Sequence, residues 1–375
     1  VTSSSSTSAD QARAQLAHCT RVVVKVGSAL LAQDAAYPKK LAQQLAALQA
    51  QGKQCVVVTS GAIALGLTQL GHDTRPTELA ALQAAAAVGQ VRLMAAWEEA
   101  FAAHQQQVAQ LLLTHADLSS RRRYLNARAA LCTLLDAGVV PVVNENDTVS
   151  VAEIRLGDND TLAAEVAGLA SCDLLVLLTG VDGMYDRPPE EPGASRISFV
   201  DVVDDDLRNK AGPAAAFGTG GMQTKLAAAD IARRHGTATV IAHGEMPDIV
   251  QRVVQGDDVG TLFAHDVSPQ AARKRWIASL RGTGRVVVDA GARRALEKNS
   301  SLLYAGVVSV DGTFEAGDAV DVVDGDGLVF ARGLVALPHE EAHRVAGMRS
   351  DDARALLGSL PKALIHRDDL VWLEG

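Results

Sequence analysis

The segment Gly218-Thr219-Gly220-Gly221-Met222-Gln223-Thr224-Lys225 crowds three glycines and a lysine ahead of an apolar, helix-favouring run. A turn of this kind leaves backbone N–H groups free at a helix N-terminus, where they and the helix dipole hold phosphate. It is neither a Walker A loop, which needs Gly-Lys-Ser/Thr, nor a dinucleotide fingerprint, since no GxGxxG follows the first apolar run. A flexible linker is the competing reading, disfavoured by the threonine and lysine that follow the glycines. A second lysine sits in Lys25-Val26-Gly27-Ser28. Glycine there lets backbone approach a phosphate and form an anion nest, although a strand that simply ends in Gly-Ser reads equally well from these residues alone. Thr59-Ser60-Gly61-Ala62 either caps the next helix, the commoner fate of Ser-Gly, or binds a carboxylate.

Two acidic-amide clusters are denser than plain loops require. Asn144-Glu145-Asn146-Asp147 follows an apolar run and offers donors and acceptors together, which suits a zwitterionic small molecule. Gly157-Asp158-Asn159-Asp160 precedes a helix-favouring stretch. One of its acidic or amide residues is expected to cap that helix, leaving the others for a ligand or for Mg²⁺, which prefers hard oxygen donors. Other motifs are discounted. His366-Arg367-Asp368-Asp369 mimics a protein-kinase catalytic loop but stands near the chain end with no Asp-Phe-Gly after it, and reads as a solvated segment. Arg121-Arg122-Arg123 and Arg293-Arg294 read as exposed helix faces. The ten histidines show no metal-type spacing.

The elements that must carry these groups alternate. Val22–Val26, Cys55–Thr59, Val108–Leu113, Val139–Val143, Leu174–Leu178 and Thr239–Ala242 are short apolar runs suited to strands covered on both faces. Helix-favouring stretches separate them: one beginning near Pro38, then Pro76 to about His104, Arg121–Ala137, Thr161–Ala170 and Met222–His235. This alternation predicts an α/β fold, an open αβα sandwich with a mostly parallel sheet whose ligands lie outside the carboxyl ends of the strands. Near Ser268-Pro269 the rhythm changes. Asp311-Gly312, Asp324-Gly325 and Asp326-Gly327 signal hairpins or turns between strands at Gly284–Asp289, Gly306–Val310 and Ala319–Val323. The expected organisation is a flexible arm over 1–18, a catalytic domain over 19–268, a linker over 269–280 and a small β-rich domain over 281–375.

With 375 residues, 48% hydrophobic and 21% charged, the chain has apolar material for a sizeable core. Aromatics are 3%, so that core must be aliphatic. A net charge of −9 argues against nucleic acid or a membrane surface as the main partner. The longest apolar stretch, Leu174–Val181, is too short to span a bilayer, and Val1–Asp10 does not read as a signal peptide. With Met94 the first methionine, Val1 reads as a non-standard start. Cys19, Cys55, Cys132 and Cys172 are scattered singly, as small hydrophobes in a reducing cytoplasm would be.

Taken together, Val24-Lys25-Val26-Gly27-Ser28, Thr59–Ala62, Asn144–Asp147, Gly157–Asp160 and Gly218–Lys225 resemble the amino acid kinase family over nearly the whole chain. The Asn-Glu-Asn-Asp segment favours its glutamate 5-kinase branch over the acetylglutamate, aspartate, carbamate and uridylate kinases, and the C-terminal part is similar to a PUA domain. The resemblance implies transfer of the ATP γ-phosphoryl group to the side-chain carboxylate of L-glutamate, the first step of proline biosynthesis. It implies that Lys25 neutralises the transferring phosphoryl group, that Lys225 holds the ATP phosphates from the other side, and that Asp160 orients both. Ser60, Asn144, Asp147 and Asn159 would bind glutamate. Gly27, Ser28, Thr179, Gly180, Thr219, Gly220, Gly221, Met222, Gln223 and Thr224 would join the lysines around ATP. Asp158 is a further candidate near glutamate or Mg²⁺. Gly180 departs from the family, which often carries Asp there. The resemblance also implies a homo-oligomer, dimer or tetramer, and feedback inhibition by proline. A sibling kinase with another carboxylate or carbamate acceptor is the nearest alternative. An RNA-binding protein acting through the PUA domain is the alternative of another class. It is disfavoured by 12 Lys and Arg against 15 Asp and Glu from Arg275 onward and by the lack of an aromatic stacking surface.

Overall fold

The structure, a computed structural model, describes residues 3–150, 159–212, 221–265 and 268–373. Two compact units emerge, Val1–Ser119 with Asn126–Pro269, and Ser120–Leu125 with Gln270–Gly375.

In the larger unit the apolar runs become strands: β1 (Arg21–Val26), β2 (Gln54–Val58), β3 (Val108–Leu113), β4 (Val140–Glu145), β5 (Leu174–Thr179), β6 (Phe199–Val200), β7 (Ala238–His243) and β8 (Thr261–Phe263). They form one sheet in the order β3-β4-β2-β1-β5-β7-β8-β6. Pairing is parallel from β3 across to β7 and turns antiparallel only at β7–β8. β6 and β8 add strands that the apolar runs do not predict, because at two and three residues neither carries a periodic signal.

Side chains alternate across a strand, so Val22, Val24 and Val26 face one side of the sheet and Val23 and Lys25 the other. The first side packs against Leu41, Leu45 and Leu48 of helix Tyr37–Ala50 and Leu93, Trp97 and Phe101 of helix Leu79–Ala102. Lys25 thus emerges toward helices Asn159–Leu169 and Met222–Arg234. Helix Leu79–Ala102 is, by length and composition, long enough to cross a membrane, which no run read from the sequence was. Its buried stripe nevertheless lies in the core, and Arg92, Glu98 and Glu99 occupy its exposed face. Helix Ala62–Gln69 crosses it with no side chain between. A Cβ on Gly66 would lie 1.8 Å from Ala85 O, and one on Gly89 1.8 Å from Ala62 O.

The expected flexible arm is instead a helix, Ser3–Leu16. Its buried Arg13 donates to Asp257 O at 2.8 Å, Ser198 O at 2.8 Å, Val259 O at 3.2 Å and Gly260 O at 3.1 Å, with Asp258 at 2.9 Å. Arg13→Ala would remove these four hydrogen bonds and the ion pair together and is expected to cost about 3 kcal/mol. A urea midpoint unchanged from wild type would show that the helix is not anchored there.

The smaller unit holds β9 (Gly284–Val288), β10 (Val307–Gly312), β11 (Ala319–Val323), β12 (Val329–Leu334) and β13 (Leu370–Trp372), in the order β10-β9-β11-β12-β13. The Asp324–Gly327 turn joins β11 to β12 as an antiparallel hairpin, with Asp324 Oδ1 accepting from Asp326 N and Leu328 N. Asp311-Gly312 is not a hairpin turn. It closes β10 against Arg285 and Gly284 of β9, where Gly312 takes φ +96°. The expected linker contains a helix, Pro269–Ser279, whose Arg273 pairs with Asp369. Asp369 is therefore structural, while His366, Arg367 and Asp368 are exposed. Arg293 is likewise engaged, pairing with Asp324 and lying over the Phe330 ring, and Arg121 donates to Gly317 O at 2.6 Å. Neither is the plain exposed face that the sequence implied.

Candidate active site

Because β4, β2, β1 and β5 are adjacent and parallel, their carboxyl ends share one edge of the sheet. A cavity of about 280 Å³ lies there. Lys25, Gly27 and Ser28 reach it from β1, Ser60 and Gly61 from β2, Asn144, Glu145 and Asp147 from β4, and Thr179 and Gly180 from β5. Asn159 and Lys225, each in the first turns of its helix, complete that wall.

The centre of the site is Asp160, with no exposed surface. Lys25 Nζ stands 2.6 Å from its Oδ1 and Lys225 Nζ 3.0 Å from its Oδ2. Thr224 Oγ1 adds a hydrogen bond to Oδ2 at 3.0 Å. Burial alone would raise the Asp160 carboxyl, but attraction to Lys25 and Lys225, with their hydrogen bonds, outweighs it and holds the group well below the ordinary carboxylate range. One carboxylate thus gathers two ammonium groups, and this cluster carries a net positive charge toward the cavity.

Three helices at this edge start on glycine without a side-chain cap: Ser28–Gln33 at Gly27, Ala62–Gln69 at Gly61 and Met222–Arg234 at Gly221. Their first N–H groups are not taken by a capping side chain. Gly61 has φ +99°, a conformation that favours glycine. Ser60 does not cap the following helix. Its Oγ accepts from Asn159 Nδ2 at 2.8 Å, and the same nitrogen donates to Thr59 O at 2.9 Å and Asn144 Oδ1 at 3.2 Å.

Gly221, Met222, Gln223 and Thr224 do not line this cavity. Thr224 holds Asp160, and Gln223 Nε2 donates to Arg208 O at 2.5 Å and Gly212 O at 3.0 Å. Thr219, Gly220 and Asp158 lie outside the described residues. A Cβ at Gly180 would meet nothing within 4 Å, so the backbone does not demand glycine there.

Two charged residues of the lining carry no role in the sequence reading, Arg75 and Glu145. Arg75 comes from the loop between helices Ala62–Gln69 and Leu79–Ala102, and no motif flags it. Glu145 lay within a quoted cluster without a role; it accepts from Ser150 Oγ at 3.1 Å. Asn146 in the same cluster serves the turn, taking a hydrogen bond from Thr148 Oγ1 at 2.5 Å. Among the described residues, no group of three or more His, Cys, Asp or Glu could hold a metal ion. The four cysteines are free; Cys19, Cys55 and Cys172 are buried, and burial pushes the Cys55 thiol up to about 12.

Residues 20–243 match the amino acid kinase family and residues 284–357 the PUA domain. Over 376 residues the chain is 48% identical to the Glutamate 5-kinase of Hahella chejuensis, covering 97% of each. It is 48% identical over 373 residues to that of Thioalkalivibrio sulfidiphilus, covering 97% of this chain and all of the relative, and 48% identical over 375 residues to that of Chromohalobacter salexigens. A solved UMP kinase from Bacillus anthracis is 16% identical, with a TM-score of 0.45 over 67% of this chain. A parallel sheet whose carboxyl edge bears two lysines on one buried aspartate, with a family match across most of that unit, makes this chain a member of the amino acid kinase family.

Proposed function

We propose that the chain transfers the γ-phosphoryl group of ATP to the side-chain carboxylate of L-glutamate, giving L-glutamyl 5-phosphate and ADP for proline biosynthesis. The observation that carries the reaction type is the pair of ammonium groups, Lys25 and Lys225, gathered on Asp160 beside the cavity. The near-full-length likeness to proteins named Glutamate 5-kinase supports the choice of acceptor.

The chemistry asks for no general base, since a carboxylate is already a nucleophile at neutral pH. A side-chain carboxylate oxygen attacks the γ-phosphorus as the bond to the bridging oxygen of ADP breaks. The difficulty is bringing two anions together, so catalysis is positioning plus charge neutralisation. In this reading Lys25 meets the transferring group and Lys225 the nucleotide phosphates, while the uncapped turns at Gly27 and Gly221 offer N–H donors. Ser60, Asn144, Asp147 and Asn159 hold glutamate. Asp160 is engaged by the two lysines, and in this reading Mg²⁺ enters with the phosphates of the MgATP substrate.

The test is an acyl-phosphate assay by hydroxylamine trapping, requiring both ATP and glutamate, run against aspartate, N-acetylglutamate and carbamate. Product from one of those acceptors and none from glutamate would transfer the reading to a sibling activity. Adding proline to the same assay, and measuring mass in solution, tests the feedback inhibition and oligomer implied by the resemblance. Asp147→Ala is expected to raise KM for glutamate about tenfold or more with kcat within about threefold. The reverse pattern would remove Asp147 from substrate binding.

A further inference from the structure

A chain of side-chain amides runs back from the cavity floor into the fold, and its polarity can be assigned. Thr59 O is a backbone carbonyl and can only accept, so the end of Asn159 facing it at 2.9 Å must be the nitrogen. Asn159 Nδ2 also faces Asn144 at 3.2 Å, which therefore presents Oδ1 and turns its own Nδ2 away. That nitrogen meets Gln90 at 2.8 Å, so Gln90 presents Oε1. Each amide dictates the orientation of the next.

Holding this arrangement has a cost. Asn159 is 8% exposed and its Oδ1 has no hydrogen-bond partner among the described residues; Gln90 Nε2 is also unpartnered. A buried polar atom left unpaired costs about 1–3 kcal/mol, and turning Asn159 over would only move that deficit from its Oδ1 to its Nδ2. Two pins oppose it, Thr59 O and Asn144 Oδ1. The second traces to helix Leu79–Ala102, which meets Thr59 only at its side-chain hydroxyl. Gln90 fixes Asn144, and seven residues on, the fully buried Trp97 donates Nε1 to Thr59 Oγ1 at 3.1 Å.

The outer end of the chain is Ser60. A hydroxyl has one hydrogen and two lone pairs, and Ser60 Oγ already accepts from Asn159 Nδ2 at 2.8 Å. Its hydrogen is therefore left to donate, and Ser60 lines the cavity. We infer that Gln90 is a positioning residue for substrate: through Asn144 and Asn159 it keeps the Ser60 hydroxyl a dedicated donor to a carboxylate oxygen of the acceptor. If Asn159 turned over, its Oδ1 would draw that hydrogen inward. This inference rests on the glutamate kinase reading above and extends it to a residue that does not line the cavity.

The experiment is a double-mutant cycle on KM for glutamate with Gln90→Leu and Ser60→Ala, with Gln90→Glu as the variant that keeps an acceptor toward Asn144. Gln90→Leu is expected to raise KM for glutamate about tenfold, the size of one buried hydrogen bond, with KM for ATP within about twofold. Ser60→Ala should cost about tenfold in wild type and clearly less on top of Gln90→Leu, because loosening Asn144 removes one of the two holds that keep the Ser60 hydrogen directed outward. Gln90→Glu should stay within about threefold of wild type. Additive effects of Gln90→Leu and Ser60→Ala would overturn the inference, as would equal shifts of both KM values, the mark of general loosening. The unmutated chain separates this idea from its foundation. If it makes no acyl phosphate from glutamate, the reading of function falls and takes the inference with it; if it does and the cycle is additive, the inference falls alone.

Discussion

Lys25→Ala is expected to lower kcat by about two to three decades while moving KM for glutamate by less than about fivefold. Lys25 is buried, 6% exposed, on β1 between Val58 of β2 and Leu177 of β5, and its Nζ lies 2.6 Å from Asp160 Oδ1. Such a group costs little reorganisation when charge develops on the transferring phosphoryl, whereas a water in its place would have to be oriented during the reaction. Folding should suffer much less. With Lys25 gone, Asp160 still faces Lys225 at 3.0 Å, one carboxylate to one ammonium. Single-turnover kinetics and a thermal melt on the same preparation check both halves. Near-wild-type turnover would remove Lys25 from its role.

Asp160→Asn should do the opposite, and damage both. The amide keeps the shape and discards the charge, removing the carboxylate that gathers the two buried ammonium groups of Lys25 and Lys225. Breaking a buried ion pair from one side costs about 3–5 kcal/mol, and here one carboxylate serves two ammonium groups. We expect a loss of that size in urea unfolding, partly restored by a non-hydrolysable ATP analogue whose phosphates replace the missing anion. With the two cations repelling each other, kcat should also fall by about two decades or more. The pH dependence has a definite sign. The Asp160 carboxyl is depressed in the folded protein from an ordinary value of 3.8, so its contribution is complete above that pH and disappears as acid carries it through the lower folded value. Asp160→Asn should therefore flatten the acid limb of the wild-type stability curve. A variant as stable as wild type at neutral pH would show that the lysines do not depend on this carboxylate.

Much of the larger unit was legible in the sequence, because each buried parallel strand must be a continuous apolar run. Leu174–Leu178 became β5, buried along nearly its whole length. Val108–Leu113 became β3 with its bounds unchanged but only half-buried, at the edge of the sheet rather than covered on both faces. Site geometry follows from the same fact, since parallel neighbours finish together and Lys25, Ser60, Asn144 and Thr179 all stand at strand ends. What stayed hidden depends on distant partners. The Ser3–Leu16 helix is too polar to announce itself, and the carbonyls that explain the burial of Arg13 lie far along the chain, at Ser198 and Asp257–Gly260. Ser60 reads locally as a cap and becomes an acceptor for Asn159, 99 residues away. Gln90 and Trp97 look like ordinary members of an Ala-rich helix, and nothing nearby in sequence marks the Asn144 amide or the Thr59 hydroxyl that they serve. β12 and β13 escaped notice because the first begins in a Gly-rich turn and the second is three residues long.

The contact between Gly66 and Gly89 has a mechanical meaning. Where helices touch through side chains, rotamers absorb small shifts; where backbone lies on backbone, nothing cushions them. The helix that begins at the rim of the cavity and the helix that carries Gln90 and Trp97 are therefore geared together. A shift of either helix at this crossing cannot be taken up by a rotamer and must be carried by its neighbour.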